Sequence, residues 1–206
     1  MRIAVYGYGN LGKGIEKVVS SSPDIELVGI FTRRNPDSLE INSDTPVYSA
    51  DRILEFRDKI DVLMLCGGSA TDLPVMTPAL AENFNVVDSY DNHSKIPLHF
   101  EKVDAAAKGG KKLALISAGW DPGLFSLARV YFSSVLPDGT DYTFWGKGVS
   151  QGHSDAIRHI EGVVDARQYT IPVEESLNAV RSGETPTLSA RQKHKRDCYV
   201  VAEDGA

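Results

Sequence analysis

The residues Met1 to Arg34 decide the fold of this chain: they read MRIAVY (1–6), GYGNLG (7–12), KGIEKVVSSSPDIELVGIF (13–31) and TRR (32–34). A short apolar run precedes the glycines, and apolar residues recur at helical spacing after them, which predicts a buried strand, a glycine turn and a helix. Glycines in this context allow a tight turn, the close approach of a pyrophosphate and the packing of helix on strand. We therefore predict a dinucleotide site that uses the whole turn: Gly7, Tyr8, Gly9, Asn10, Leu11 and Gly12.

The end of the second predicted strand indicates which dinucleotide binds. A site for NAD usually has Asp or Glu here to accept hydrogen bonds from the ribose 2′-hydroxyl, whereas this chain has Thr32, Arg33 and Arg34. A hydroxyl and two guanidinium groups suit a 2′-phosphate, which a carboxylate would repel. We predict NADP as the cofactor; the alternative is a glycine turn followed by a solvated basic loop.

The composition limits the class of protein. The chain has 206 residues, of which 42% are hydrophobic and 24% charged, enough for a buried core. A formal net charge of -6 argues against binding to nucleic acid or to an anionic membrane. Because no apolar run approaches the length of a membrane helix and a strand begins at once, we expect a cytoplasmic protein. The histidines are scattered, so no metal site is expected, and Cys66 and Cys198 are expected to be reduced core residues.

Two further strands end in polar segments, at the edge of the sheet where doubly wound folds bind ligands. Glycines and hydroxyl residues follow the strand that ends at Cys66, and the polar segment 88–93 follows the next strand. The first segment is expected to contact the cofactor; the alternative is an ordinary turn with Ser69 or Thr71 as a helix cap. The second segment is either loop or active-site chemistry. The cofactor contacts predicted here are Cys66, Gly67, Gly68, Ser69, Ala70, Thr71, Asp91, Asn92 and His93.

The order of the elements predicts an α/β fold with two domains. Residues 1–117 alternate strands and helices, which predicts a Rossmann-type doubly wound parallel sheet. Residues 118–206 change to strands with a period of two, at 142–145, 167–171 and 194–201, and to helices that include one capped by Ser154. We interpret this second part as an α+β domain.

Two charged residues of the second part are candidates for a special role. Asp121 precedes Pro122, and these are the residue types preferred at the N-cap and the first position of a helix. Arg196 shares its strand face with Cys198 and Val200, and a guanidinium on a partly buried face usually has an acidic partner or a ligand.

The chain resembles the NADP-dependent meso-diaminopimelate dehydrogenases over its whole length. The resemblance rests on the glycine turn, on residues 32–34 and on more specific segments: GSATD (68–72), DSYDNH (88–93), GWDPG (119–123), TFWG (143–146), SQGHSDA (150–156) and HKR (194–196). It implies oxidative deamination of the D-configured centre of meso-2,6-diaminopimelate to L-2-amino-6-oxopimelate, ammonia and NADPH. It also implies a homodimer that serves lysine and cell-wall precursor synthesis.

The resemblance implies the residues of the substrate site as well. Asp91 and Asp121 lie near the reacting amino group, where a carboxylate can accept its proton and stabilise iminium charge. Thr170 and Arg196 bind the distal carboxylate. The other residues wall or line the pocket: Trp120, Trp145, Gln151, Gly152 and Asp155. Several have a plainer alternative role: a helix cap or a loop hydrogen bond for the two aspartates, a core position for the strand tryptophan, and a turn for the Gln-Gly pair.

Members of this family continue well beyond residue 206. Their later segment supplies a His and an Asn to the distal pocket and further strands to the substrate-binding and dimerisation domain, which is therefore expected to be incomplete here. On this interpretation the chain is truncated, and cofactor binding outlasts catalysis because the first domain is whole. Two other functions remain open: another NADP-dependent amine or imine oxidoreductase, and a non-catalytic NADPH-binding module.

Overall fold

The computed structural model describes residues 1–204, apart from the side chain of Gln151. Its internal contacts divide the chain into a first unit, Met1–Val130, and a second unit that begins at Tyr131. This division falls within a helix, Leu124–Val135. The domain boundary between residues 117 and 118 stays a prediction.

The first unit contains a six-stranded sheet in which every pairing is parallel. Its strands are β1 Arg2–Tyr6, β2 Glu26–Thr32, β3 Val47–Ser49, β4 Val62–Leu65, β5 Val86–Asp88 and β6 Ala114–Leu115. The α-helices between them are α1 Asn10–Val19, α2 Leu73–Ala81 and α3 Ile96–Gly110, and 3₁₀ turns lie at Pro36–Ser38, Ala50–Phe56 and His93–Lys95. The strand order β3-β2-β1-β4-β5-β6 confirms the predicted doubly wound sheet.

The core of the first unit lies on both faces of this sheet. Apolar side chains of the central strands are fully buried, as expected for parallel strands covered on both sides. The largest of them come from β2, β4, α2 and the segment before β5: Phe31, Ile30, Leu63, Leu65, Leu73 and Phe84. Packing of this kind fixes the carboxyl ends of the strands, where the loops of the candidate site begin.

The second unit contains an antiparallel sheet of order β7-β8-β9, formed by β7 Gly148–Val149, β8 Val163–Pro172 and β9 His194–Ala202. Its helices are α5 Gln151–Arg158, α6 Glu174–Arg181 and α7 Ala190–Lys193, and α4 Leu124–Val135 precedes them. This arrangement confirms the predicted α+β character. No helix within the described residues is both long enough and apolar enough to cross a membrane.

The strand predicted at residues 142–145 is wrong. The described structure assigns no strand to this segment, in which the Tyr142 hydroxyl donates to the Pro186 carbonyl at 2.8 Å. The Trp145 backbone N–H donates to Nε2 of His194 at 2.7 Å. The described contacts thus join this segment to a loop carbonyl and to the side chain of His194.

Two other predictions for the second unit are also wrong. Ser154 does not cap its helix, because α5 begins three positions earlier with Ser150 as N-cap. Ser154 is instead fully buried: its hydroxyl donates to the Ser150 carbonyl at 2.6 Å and accepts from the Gln168 N–H at 2.9 Å, which fastens α5 to β8. Cys198 is exposed rather than a core residue.

Candidate functional site

The glycine turn between β1 and α1 has the shape that a dinucleotide site requires. Gly7 adopts a φ of 97°, and its N–H donates to the Phe31 carbonyl at 2.8 Å. A Cβ on Gly12 would lie 2.5 Å from the Gly7 carbonyl oxygen, whereas a Cβ on Gly9 would meet nothing within 4 Å. The lack of a side chain at Gly12 therefore lets α1 pack closely against β1, and the lack of one at Gly9 leaves open space for a ligand.

A cavity of about 340 Å³ opens at the carboxyl ends of β1, β2 and β4. Nine of the residues predicted for cofactor binding line it: Gly7, Tyr8, Gly9, Thr32, Arg33, Arg34, Cys66, Gly67 and Gly68. The lining as described does not include the other nine: Asn10, Leu11, Gly12, Ser69, Ala70, Thr71, Asp91, Asn92 and His93. Burial raises the pKa of the Cys66 thiol to about 12, so this side chain stays neutral.

The arginines at the end of β2 are each held by a specific partner. Nη1 and Nη2 of Arg33 donate to the two carboxylate oxygens of Asp72 at 3.0 and 2.9 Å. Nη2 of Arg34 donates to the Tyr8 carbonyl at 2.5 Å, and its N–H donates to the buried Thr32 hydroxyl at 3.1 Å. The guanidinium of Arg33 lowers the pKa of Asp72, so that carboxylate remains ionised.

The buried carboxylate of Glu16 is hydrogen-bonded to Tyr8 of the glycine turn, and the sequence analysis did not predict this residue. Glu16 is 2% exposed and accepts hydrogen bonds from the Tyr8 hydroxyl, the Asn42 N–H at 3.0 Å and the Ser43 hydroxyl at 2.6 Å. The sequence feature that could have revealed Glu16 is its helical spacing from Gly12 and Val19, because these three residues share one buried face of α1. The network fastens the segment after the 3₁₀ turn Pro36–Ser38 to the dinucleotide loop.

The loops that follow β4 and β5 are joined by Ser69 and Asp91. The Ser69 hydroxyl donates to Oδ1 of Asp91 at 2.5 Å and accepts from the Asp91 N–H at 2.9 Å. Ser69 is therefore not the helix cap of the alternative interpretation; α2 begins at Leu73, with Asp72 before it. Asp91 itself is exposed, as a group that meets a ligand must be.

A second buried carboxylate, Asp88, joins the ends of β5 and β6. One of its oxygens accepts from the Thr77 hydroxyl at 2.8 Å and from His99 at 2.7 Å. The other accepts from the N–H groups of Tyr90 and Ser117 at 3.1 and 2.8 Å. Asp88 thus fixes the backbone just before Asp91 and a few residues before Asp121, a role that its place at a strand end alone did not indicate.

The other predicted catalytic carboxylate, Asp121, forms a bidentate pair with Arg129 at 2.9 and 2.7 Å. The interpretation of Asp121 as a helix cap is wrong, because α4 begins only at Leu124. The hydrogen bonds from Arg129 hold the pKa of Asp121 below its ordinary value against the effect of burial, and the nearby His93 acts in the same direction. Asp121 therefore carries a negative charge at neutral pH.

The aromatic pocket residues are not buried in the described structure. Trp120 is 67% exposed and lies 5.5 Å from the Phe125 ring, centroid to centroid. Trp145 is 38% exposed, so its alternative interpretation as a core residue is wrong. Both side chains have surface that a ligand could cover.

The residues predicted for the distal carboxylate meet on the sheet of the second unit. Thr170 on β8 is the cross-strand partner of Arg196 on β9, so both side chains leave the same face. Arg196 is exposed, which corrects the expectation of a partly buried position, and no acidic partner is described for it. Asp155 on α5 pairs with Arg158 at 3.3 Å, Gly152 is exposed, and the Gln151 side chain lies outside the described residues.

Comparisons with known proteins find similarity to diaminopimelate dehydrogenases along the whole chain. A sequence profile described as the diaminopimelic acid dehydrogenase C-terminal domain matches residues 119–206. The meso-diaminopimelate D-dehydrogenase of Acetivibrio thermocellus is 58% identical over 100% of this chain and 62% of its own length. That of Ureibacillus thermosphaericus is 56% identical over 100% of this chain and 63% of its own length. The chain thus spans a little under two thirds of these relatives.

Two solved structures of dehydrogenases also match nearly the whole of this chain. The Corynebacterium glutamicum DAP dehydrogenase in complex with DAP superposes with a TM-score of 0.90 at 48% identity, over 99% of this chain and 62% of that one. An engineered D-amino acid dehydrogenase bound to NADP⁺ superposes with a TM-score of 0.88 at 46% identity, over 98% of this chain and 62% of that one.

Proposed function

From its likeness to the meso-diaminopimelate D-dehydrogenases, we propose that the chain belongs to that family and serves the reversible NADP-dependent oxidative deamination of the D-centre of meso-2,6-diaminopimelate. The observation that carries the proposal is the cavity at the carboxyl ends of three parallel strands, with the guanidinium groups of Arg33 and Arg34 where a 2′-phosphate is expected. The products are L-2-amino-6-oxopimelate, ammonia and NADPH. The reverse reaction supplies lysine and cell-wall precursors.

The glycine turn and the basic residues after β2 hold NADP. The nicotinamide of NADP would supply the acceptor for the hydride that leaves the Cα of the D-centre. The backbone at Gly9 admits the pyrophosphate, and Thr32, Arg33 and Arg34 bind the 2′-phosphate. The loops after β4 and β5, including Asn92 and His93, complete the contacts.

The two carboxylates of the first unit have different tasks at the reacting amino group. Asp121, kept ionised by Arg129, stabilises the positive charge that develops as the amine becomes an iminium group. Asp91 is exposed, and in the described contacts only its Oδ1 accepts from a side chain, the Ser69 hydroxyl, so we assign to Asp91 the acceptance of the amino proton. Water then attacks the imine and ammonia leaves.

The second unit binds the distal end of the substrate. A cross-strand Thr170 and Arg196 present a hydroxyl and a guanidinium on one face, which suits a carboxylate. Trp145, Gln151, Gly152 and Asp155, which belong to the same unit, line the pocket for this end of the substrate. This grip distinguishes diaminopimelate from amino acids without a distal carboxylate.

The distal grip can be tested by Arg196→Met, with Arg191→Met on α7 as the matched control. Arg196→Met is expected to raise KM for meso-diaminopimelate at least about a hundredfold, because a bidentate charged contact is lost. Arg191→Met is expected to leave KM unchanged. Equal KM values for the two variants would refute the assignment.

We also propose that the protein acts as a homodimer, as the resemblance implies, and that it acts in the cytoplasm, as expected from the sequence. Of the other functions that the residues left open, neither a different amine oxidoreductase nor a non-catalytic NADPH-binding module is favoured by the relatives, which carry the diaminopimelate dehydrogenase name.

A further inference from the structure

We infer that Asp72 is a specificity-determining residue of the dinucleotide site, because it holds the guanidinium of Arg33 where the 2′-phosphate of NADP is expected. The inference rests on the cofactor proposed above. Asp72 precedes α2 and Arg33 follows β2, and both line the same cavity. One ion pair therefore bridges two loops of the dinucleotide site.

The geometry of this pair fixes the direction of the guanidinium. Each terminal nitrogen of Arg33 donates to a different oxygen of Asp72, at 3.0 and 2.9 Å, and such a fork leaves little rotational freedom. Asp72 is itself fixed by Gly68: its Oδ2 accepts from the Gly68 N–H at 2.9 Å, and its own N–H donates to the Gly68 carbonyl at 2.8 Å.

The carboxylate positions Arg33 without using up its capacity to bind. A guanidinium carries more N–H donors than one carboxylate can occupy, so donors on Nε and on both terminal nitrogens remain for a phosphate. The side chain of Arg33 is 65% exposed, which leaves those donors accessible. An unanchored arginine would lose rotamer freedom on binding the phosphate, and Asp72 has already removed that freedom.

The charge balance also favours a phosphate ligand. Arg33 neutralises Asp72, while Arg34 donates to a neutral group, the Tyr8 carbonyl, at 2.5 Å. The cluster formed by Arg33, Arg34 and Asp72 therefore keeps a net positive charge. A carboxylate that would repel a 2′-phosphate if it stood alone here acts as a support for the cation that binds it.

The test is the ratio of the dissociation constants for NADH and NADPH, measured on the full chain by the fluorescence of the bound nicotinamide. Asp72→Asn is expected to lower this ratio about fivefold by weakening NADPH binding while NADH binding stays the same. Asp61→Asn is the matched control, because it removes an Arg–Asp pair of similar length, Arg2–Asp61 at 2.7 Å, outside the cavity lining. It is expected to leave the ratio unchanged.

A double-mutant cycle with Arg33→Met separates positioning from a direct effect. In the Arg33→Met background, Asp72→Asn is expected to have no further effect on the ratio. Tighter NADPH binding in Asp72→Asn, equal weakening of NADH and NADPH, or an undiminished effect without Arg33 would each overturn the inference. A wild-type chain that binds NADH as tightly as NADPH would refute the proposed cofactor instead.

Discussion

The carboxylate of Asp121 accepts hydrogen bonds from both terminal nitrogens of Arg129, at 2.9 and 2.7 Å. The side chains are only 15% and 32% exposed, so water screens the pair less than it screens most surface ion pairs. Arg129 therefore sets the charge of a carboxylate to which we assign the stabilisation of the iminium group.

Replacement of Arg129 should change the pH dependence of the reaction as well as its rate. Arg129 lowers the pKa of Asp121, so Arg129→Met raises that pKa and Asp121 becomes protonated at a higher pH. The acid limb of the kcat profile is expected to move to higher pH, and kcat at neutral pH to fall about tenfold. Arg129→Lys should restore part of both. An unchanged acid limb in Arg129→Met would contradict this role.

The glycines of α1 offer a matched pair of substitutions. Gly12→Ala places a methyl group 2.5 Å from the Gly7 carbonyl oxygen, whereas Gly14→Ala meets nothing within 4 Å. Gly12→Ala is expected to lower the free energy of unfolding by about 2 kcal/mol and to weaken NADPH binding. Gly14→Ala is expected to raise it by about 0.5–1 kcal/mol. Urea unfolding of both variants tests this, and a loss of stability in Gly14→Ala comparable to that in Gly12→Ala would be inconsistent with it.

The buried Glu16 should contribute stability that depends on pH. Burial raises its pKa, but hydrogen bonds from Ser43, Tyr8 and Asn42 outweigh burial, and the net pKa lies below the ordinary 4.5. A carboxylate whose pKa is lower in the folded state stabilises the fold above its unfolded pKa, and this stability is lost as the pH falls through the folded pKa.

The substitution Glu16→Gln is therefore expected to cost about 2 kcal/mol at pH 7 and less at pH 4 and below. Unfolding by urea at both pH values measures the difference. Glu101→Gln, at an exposed position on α3, is the control and is expected to change stability by less than about 0.5 kcal/mol. A cost for Glu16→Gln that is the same at both pH values would contradict this interpretation.

The buried Asp88 should matter for both stability and catalysis. Asp88→Asn removes an acceptor from Thr77 and His99, and is expected to lower the free energy of unfolding by about 2–3 kcal/mol. Because Asp88 also fixes the backbone beside Asp91, kcat is expected to fall more than affinity for NADPH. Asp104→Asn breaks only an exposed pair with Lys108 and serves as the control. If both variants lose the same small amount of stability, Asp88 is not the support we describe.

Sequence patterns were sufficient to predict the strand, turn and helix at the start of the chain, because the residues that determine them are close together in sequence. The glycine turn and residues 32–34 each occupy one short segment, and the strand-turn-helix context leaves few alternative arrangements. The parallel sheet also followed from its buried apolar strands. Partners distant in sequence could not be found in this way: Arg33 and Asp72 are 39 residues apart, and nothing in either segment specifies the other.

The errors have a common physical origin. Alternation over 142–145 indicates extended backbone but cannot say whether a neighbouring strand will pair with it. The Asp-Pro dipeptide at 121 is typical of a helix start, but the carboxylate of Asp121 accepts two hydrogen bonds from Arg129 and caps none of the described helices. Cys198 lies in an apolar pattern on a strand whose side chains are largely exposed in the described structure. In each case tertiary contacts decided between options that the local sequence left equal.

The most direct test of the proposed function is the absorbance of reduced nicotinamide when the protein is mixed with NADP⁺ and, separately, with the meso, LL and DD isomers of diaminopimelate. The proposed function requires a D-configured centre at the reacting end and an L-configured end that is bound through its carboxylate. Reduction of NADP⁺ is therefore expected with the meso isomer and at most slowly with the others. Equal rates with the meso and DD isomers, or no reduction with any isomer, would contradict the proposal.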